Sequence, residues 1–143
     1  MRSGFTLIEL LMVIAIVAVL TTASTPFLST FMVRNNWHVT VDRIVSEINK
    51  AQSYATDGKV ISGSTVWGVC LTGNTFRMFN GTCATPNYQE DYVIPGGVTL
   101  SGITSLTFDN LRGEPSSVSV ISVMSTVGSN MVTINAAGMV DVN

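Results

Sequence analysis

The feature that most constrains this chain is an apolar run near its N-terminus that contains a single carboxylate. From Phe5 to Leu20 the only polar residues are Thr6 and Glu9. Such a run predicts a buried helix, and with residues 21–33 added it is long enough to cross a bilayer core of about 30 Å. An ionised side chain in hydrocarbon costs roughly 2.5–3.5 kcal/mol at the middle of a helix, so Glu9 needs a compensating partner.

A short charged start followed by an apolar run is typical of two kinds of segment, a cleaved secretory signal peptide and an uncleaved signal anchor. A cleaved secretory signal peptide fits poorly, because only Met-Arg-Ser-Gly precedes the run and a signal peptide needs no carboxylate. An uncleaved signal anchor fits the hydropathy better. Arg2 then places the N-terminus inside the cytoplasm by the positive-inside rule, and the bulk of the chain outside it.

The remaining chain is an ordinary globular sequence, long enough for one small core. The whole chain is 143 residues with 11% charged residues. Its two cysteines, Cys70 and Cys83, suit an oxidising compartment, where a disulfide between them would stabilise the fold by roughly 3 kcal/mol. Two unpaired buried thiols are the alternative. No metal site is expected, because two cysteines and the single His38 provide too few ligands.

The stretch GFTLIELLMVIAIVAVL, residues 4–20, resembles the N-terminal motif of type IV pilins and type II secretion pseudopilins. The resemblance implies that a prepilin peptidase removes the leader 1–4 by cutting between Gly4 and Phe5, and that Phe5 is then methylated at its amine. It also implies that Glu9, the fifth mature residue, directs assembly by neutralising the Phe5 amine of a neighbouring subunit. The alternative is a membrane anchor whose Glu9 lies at the headgroup level.

Further expectations come with the same resemblance. Pro26 matches the proline that bends the stem helix in these proteins. The implied partners are other pilin or pseudopilin subunits in a helical homo- or hetero-polymer, the prepilin peptidase and an inner-membrane assembly platform. The precursor is expected to cross the inner membrane once with its head outside the cytoplasm, and to join a cell-surface or periplasmic filament after assembly.

Beyond the proline, an amphipathic pattern extends the helix to about Thr56, before the stop signal Asp57-Gly58. Apolar residues form one stripe with helical spacing, namely Trp37, Val41, Ile44, Ile48, Ala51 and Ala55. The charged residues beside the stripe are expected to face solvent or neighbouring subunits. They are Asp42, Arg43, Glu47 and Lys50.

After Gly58 the sequence changes to short segments rich in Val, Ile and Thr, separated by turns that contain glycine. The predicted strand regions are 64–79, with a turn at Thr72-Gly73-Asn74, then 92–100, 103–109, 116–125 and 130–142, with a turn at Ala137-Gly138. The predicted fold class is therefore α+β, the type IV pilin fold, in which a long N-terminal hydrophobic helix packs against a C-terminal antiparallel sheet. The expected divisions are the leader 1–4, the apolar transmembrane or filament-core helix 5–33 and the extracytoplasmic head 34–143.

Four residues of the head match a narrower class within the pilin and pseudopilin family. Phe108, Gly113, Pro115 and Gly138 lie where the GspH/FimT class of minor pilins and pseudopilins has a phenylalanine, a Gly-x-Pro element and a terminal strand pair with glycine. The resemblance therefore extends to that class.

No arrangement of residues in the sequence suits catalysis, so neither an enzymatic activity nor a cofactor is expected. His38 lies beside Trp37 and is expected at the surface or in an interface. The stretch 81–92, which includes Glu90 and Asp91, is expected to be a surface loop that the disulfide holds in place. Asn80-Gly81-Thr82 matches a glycosylation sequon.

Binding to nucleic acid is not expected, because it requires clustered lysine and arginine. Removal of the leader takes away Arg2 and leaves six basic against nine acidic side chains. The sequence therefore predicts a structural subunit of a type IV pilus or a type II secretion pseudopilus. The alternative is a minor or tip pilin that acts as a binding module for DNA, surfaces or a secreted substrate.

Overall fold

The computed structural model describes residues 6–143, except for the side chains of 23–27. Within the described residues one helix, α1 (Leu7–Thr56), precedes eight strands. The strands are β1 (Trp67–Thr72), β2 (Thr75–Gly81), β3 (Pro86–Val93), β4 (Val98–Ser101), β5 (Ser105–Phe108), β6 (Ser119–Ser125), β7 (Gly128–Ile134) and β8 (Val140–Val142). The chain divides into two compact units with the boundary between Met32 and Val33.

Helix α1 confirms the predicted helix, and it ends where the sequence carries its stop signal. Gly58 adopts a left-handed backbone conformation, with φ at 61°. Its N–H donates to the carbonyl of Ala55, and the N–H of Lys59 donates to the carbonyl of Tyr54, each at 3.0 Å. These bonds satisfy carbonyls that the end of a helix leaves without partners.

A membrane-spanning role for the helix was expected over residues 5–33. In the part of the chain that the structure describes, no helix combines the length and the apolar character needed to cross a membrane.

The strands form two antiparallel sheets rather than the single sheet that was expected. Sheet 1 has the order β3-β2-β1-β5, and sheet 2 has the order β4-β6-β7-β8. Both predicted turns are confirmed, because β1 pairs with β2 around Thr72-Gly73-Asn74 and β7 pairs with β8 around Ala137-Gly138. The consecutive strands β4 and β5 belong to different sheets, so the chain crosses between sheets at Gly102, which has φ at 94°.

One core joins the head half of α1 to both sheets. Five of the six stripe residues of the helix are buried, and Trp37 is partly buried against the same core. Sheet 1 contributes alternate residues of β1 and β2, and sheet 2 contributes alternate residues of β6 and β7. The main contributors are Trp67, Val69, Phe76, Met78, Ile121, Val123, Val132 and Ile134. The fold class predicted from the sequence, a helix packed on antiparallel β-structure, is therefore confirmed.

Two local expectations were wrong. The stretch 81–92 is not one surface loop, because Pro86–Val93 forms the edge strand β3 and Glu90 and Asp91 lie within it. Glu47 does not face solvent, because only 2% of the residue is exposed. Both differences have one cause, since β3 extends sheet 1 along the side of the helix that carries Glu47.

Candidate functional site

The carboxylate singled out by the sequence, Glu9, lies in the first turn of α1 and is exposed. The hydroxyl of Thr6 donates to Glu9 Oε2 at 3.4 Å, and the carbonyl of Thr6 accepts the N–H groups of Glu9 and Leu10. Thr6 and Glu9 thus have the spacing of a capping box, in which a threonine and a glutamate three residues later close the start of a helix. The negative charge also suits the positive end of the helix dipole.

The helix surface on both sides of Glu9 is apolar and exposed. Large hydrophobic side chains from Leu7 to Leu20 are each at least 50% exposed. They are Leu7, Ile8, Leu10, Leu11, Met12, Val13, Ile14, Ile16, Val17, Val19 and Leu20. Exposed apolar patches of this extent mark surfaces that another protein or a membrane covers.

Three sequence-predicted positions lie outside the described residues. They are Gly4 and Phe5, between which the cut is predicted, and Pro26, whose side chain belongs to the stretch 23–27. Cleavage, methylation and the bend at Pro26 therefore stay predictions.

The predicted disulfide is confirmed, and it lies on the outer face of sheet 1. Cys70 and Cys83 are bonded, with their Cα atoms 6.3 Å apart. Cys70 is fully buried and pairs across strands with Arg77 and Ser105. The bond fastens the stretch between β2 and β3 onto a face that also holds Phe79, which is 1% exposed and lies outside the main core.

The outer face of sheet 1 also carries a bidentate ion pair. Arg77 Nε and Nη2 donate to the two carboxylate oxygens of Asp91 at 2.6 and 2.9 Å, and Nη1 donates to the carbonyl of Cys83 at 3.4 Å. These hydrogen bonds lower the pKa of Asp91 and raise that of Arg77. The pair was missed because 81–92 was interpreted as a loop. A turn at 82–85 alone would have aligned Arg77 with Glu90, and only the register shift between Asn80 and Gly81 places it opposite Asp91.

The opposite face of β3 is bonded to the helix. Lys50 Nζ donates to both oxygens of Glu90, at 2.6 and 2.5 Å, and the hydroxyl of Tyr88 donates to Glu90 Oε1 at 2.6 Å. The hydrogen bond from Lys50, followed by that from Tyr88, lowers the pKa of Glu90. Edge strands are open to pairing with other chains unless they are held or charged. Here β3 is held by side chains on both of its faces.

Glu47 lies next to this contact between α1 and β3. Its Oε1 accepts from Arg43 at 2.7 Å, whereas Oε2 is buried and has no hydrogen-bond partner among the described residues. Burial raises the pKa of Glu47, and the Arg43 guanidinium opposes that shift. No sequence pattern indicated this burial, since Glu47 lies off the apolar stripe.

The four residues that match the GspH/FimT class stabilise the structure next to the C-terminal end of α1, where the loop between β5 and β6 lies. Phe108 is buried and bridges to Pro115, and the amide of Gln52 donates to the carbonyl of Gly113 at 3.0 Å. Gly138 has φ at 79°, and a side chain there would collide with Gln52 and with the Gly113 carbonyl. These positions therefore have structural roles.

Two other sequence features have clear positions. Asn80 is fully buried, and its amide donates to the carbonyls of Ser64 and Val66. The folded chain therefore cannot accept a glycan at Asn80, and the sequon has no such role. His38 is exposed, with its ring 4.7 Å from that of Trp37. Within the described part of the chain, no three histidine, cysteine, aspartate or glutamate side chains are grouped to hold a metal ion.

Comparison with known proteins adds one match. The family model described as the prokaryotic N-terminal methylation motif matches residues 1–25. No curated protein and no solved structure matches the chain. The motif implies a membrane-anchored precursor that prepilin peptidase processes and that then assembles with other pilins. Together with the α+β head, the match at residues 1–25 supports the assignment of this chain to the type IV pilin and type II secretion pseudopilin family.

Proposed function

We propose that this chain is a structural subunit of a type IV pilus or a type II secretion pseudopilus and that it polymerises through α1. In this proposal it is delivered by an inner-membrane assembly platform, belongs to the GspH/FimT class and has no catalytic role. The filament contains copies of this chain, alone or with sibling subunits.

The exposed apolar surface of α1 carries the proposal. Full burial of one leucine, isoleucine, valine or methionine side chain contributes about 1.5–3 kcal/mol. Eleven such large hydrophobic residues from Leu7 to Leu20 are exposed in the single chain. Packing helices of several copies side by side buries these residues and thereby supplies a strong driving force for a polymer.

Glu9 gives the polymer its register. A carboxylate among packed apolar helices is costly unless a cation neutralises it, and buried polar groups are known to fix the register of packed helices. Cutting after Gly4 frees an amine on Phe5, which supplies that cation on an adjoining copy. The exposed position of Glu9 leaves its carboxylate accessible to such a partner.

The charges of the head favour this structural role over DNA capture. Four of its basic side chains already form ion pairs, namely Arg43 with Glu47, Lys50 with Glu90, Arg77 with Asp91 and Arg112 with Glu114. Paired cations release fewer counterions from phosphates, so they add little affinity for DNA.

The test is to incubate the full-length chain in detergent with a prepilin peptidase and then to dilute out the detergent. We expect mass spectrometry to show loss of residues 1–4, and electron microscopy to show filaments only after the cut. A Gly4→Val variant, which places a branched side chain at the cut, is the matched control and should remain whole and unassembled. A chain that is not cut, or is cut and stays monomeric, contradicts the proposal.

A further inference from the structure

Glu47 is the only carboxylate in the described head that lies almost entirely out of contact with water, since just 2% of the residue is exposed. Its Oε1 accepts from Arg43 at 2.7 Å, whereas no described residue donates to its buried Oε2. An ionised carboxylate in such a place costs free energy, because the protein replaces only part of the hydrogen bonding that water would provide. Neither the apolar surface of α1 nor the proposed pairing of Glu9 explains why the chain buries a carboxylate here.

The buried carboxylate lies at the contact that attaches β3 to the helix. The hydroxyls of Thr40 and Tyr92 are 3.1 Å apart, and Lys50 bonds Glu90 further along the same strand. Thr40, Glu47 and Lys50 are seven and three residues apart, so they share one face of α1, with Glu47 between the two attachments. Strand β3 is an edge strand whose strand partner is β2. Its position therefore depends on β2 and on this contact with the helix.

The charges around Glu47 come from α1 and β3 alone. In the described head the inner faces of the other strands carry no ionisable side chain. Burial, which is the largest effect, and the charge of Glu90 raise the pKa of Glu47, and they outweigh the opposing charges of Arg43 and Lys50. The titratable side chains at this contact are Arg43 and Lys50 on α1 and Tyr88, Glu90 and Tyr92 on β3.

We infer that Glu47 is a proton-sensitive latch, which fastens β3 to α1 while its carboxyl is neutral and loosens the strand when it ionises. In the neutral form Oε1 still accepts from Arg43, and an unpartnered oxygen without charge costs far less than an unpartnered anion. Ionisation releases the proton to solvent and leaves a buried charge near Glu90. Strand β3 yields first, because an edge strand opens more easily than strands that are paired on both sides. The latch belongs to the head and is independent of polymerisation through α1.

Thermal unfolding of the full-length chain in detergent, from mildly acidic to mildly alkaline pH, tests the latch. Glu47→Gln mimics the neutral carboxyl and shares every other group with wild type, so the difference between their Tm values isolates Glu47. A group with a raised pKa in the folded state stabilises fully below the ordinary carboxylate range and loses that effect as pH rises through the raised value. We therefore expect wild type to fall behind Glu47→Gln by at least about 2 °C as pH rises. Asp42→Asn, which removes an exposed carboxylate of the same helix, is the control and should keep a level difference from wild type.

Hydrogen exchange locates the effect. At alkaline pH the amides of β3 should exchange at least threefold faster in wild type than in Glu47→Gln at the same pH, while those of β6 and β7 exchange equally in both. If Glu47→Gln does not fold, carbon-13 NMR of glutamate-labelled wild type decides. One of the four glutamate carboxyls should then titrate above the ordinary range, and Glu90→Gln should lower that midpoint. A level Tm difference, faster exchange in both sheets alike, or four ordinary carboxyls would overturn the inference.

Discussion

The disulfide between Cys70 and Cys83 offers a quantitative test of the head. It closes a loop with a sequence separation of 13 that contains the whole of β2. In the chain-entropy description, closing a loop of this size stabilises the folded state by about 3 kcal/mol relative to the open chain. Reduction should therefore lower the free energy of unfolding by about 3 kcal/mol. For a chain of this length that corresponds to a fall in Tm of about 6–12 °C.

The assay is thermal unfolding of the full-length chain in detergent, followed by circular dichroism with and without a reductant. Reduced wild type retains every side chain, so its difference from oxidised wild type isolates the cross-link. A Cys70→Ala/Cys83→Ala variant also loses the packing of Cys70 and should unfold at a still lower temperature. The folded spectrum should survive in both, because the β1–β2 hairpin has its own tight turn. A fall of less than about 2 °C on reduction, well below the range expected from loop closure, would refute the reasoning.

Two further predictions concern single side chains of the head. Gly138→Ala should lower the free energy of unfolding by about 2–4 kcal/mol, because the backbone is left-handed and Gln52 occupies the space. Gly73→Ala, at a left-handed turn with open space around it, should lose only about 1–2 kcal/mol in the same denaturant titration. Glu90→Gln should lower Tm by about 2–4 °C at pH 7, as expected for loss of about 1 kcal/mol from the ion pair with Lys50. Since the pKa of Glu90 is lowered in the folded chain, that stabilisation is present above the ordinary carboxylate range and is lost as pH falls through the lowered value. The two Tm values should therefore converge as the pH falls below the ordinary carboxylate range, and a constant difference across pH would contradict the ion pair.

The parts of the fold that depend on nearby residues were predictable. The stripe from Val41 to Ala55 identified the helix, because its periodicity is set within a few turns. Glycine-bearing turns at Gly73 and Gly138 identified two hairpins for the same reason. The helix start also carried a local signal, since Thr6 and Glu9 have capping-box spacing.

The parts that depend on distant partners were not predictable from one sequence. The sequence indicated strands but not their pairing, so the division into two sheets was missed. The stretch Pro86–Val93 contains Pro, Asn, Gln and charged residues, which favour a loop. It is nevertheless a strand, because Arg77 and Lys50 neutralise its carboxylates from opposite faces. The burial of Glu47 follows from that same strand.

The candidate site also has a part that is visible in the sequence and a part that depends on strand register. Residues 4–20 carry the processing motif in the sequence itself, so the amino-acid sequence alone is enough to identify Glu9. The ion pair between Arg77 and Asp91 has no such motif. This pair exists only once the register of β2 against β3 is fixed.

Co-assembly of Glu9→Gln with wild type tests the proposed polymer most directly. Glutamine can keep the capping contact with Thr6 but removes the charge, so a defect reports on neutralisation and not on helix stability. Processed wild-type and variant chains, labelled differently, are mixed in equal amounts and the composition of the resulting filaments is measured. We predict that filaments contain at least tenfold less variant than wild type. Equal incorporation would show that the Glu9 charge does not direct assembly.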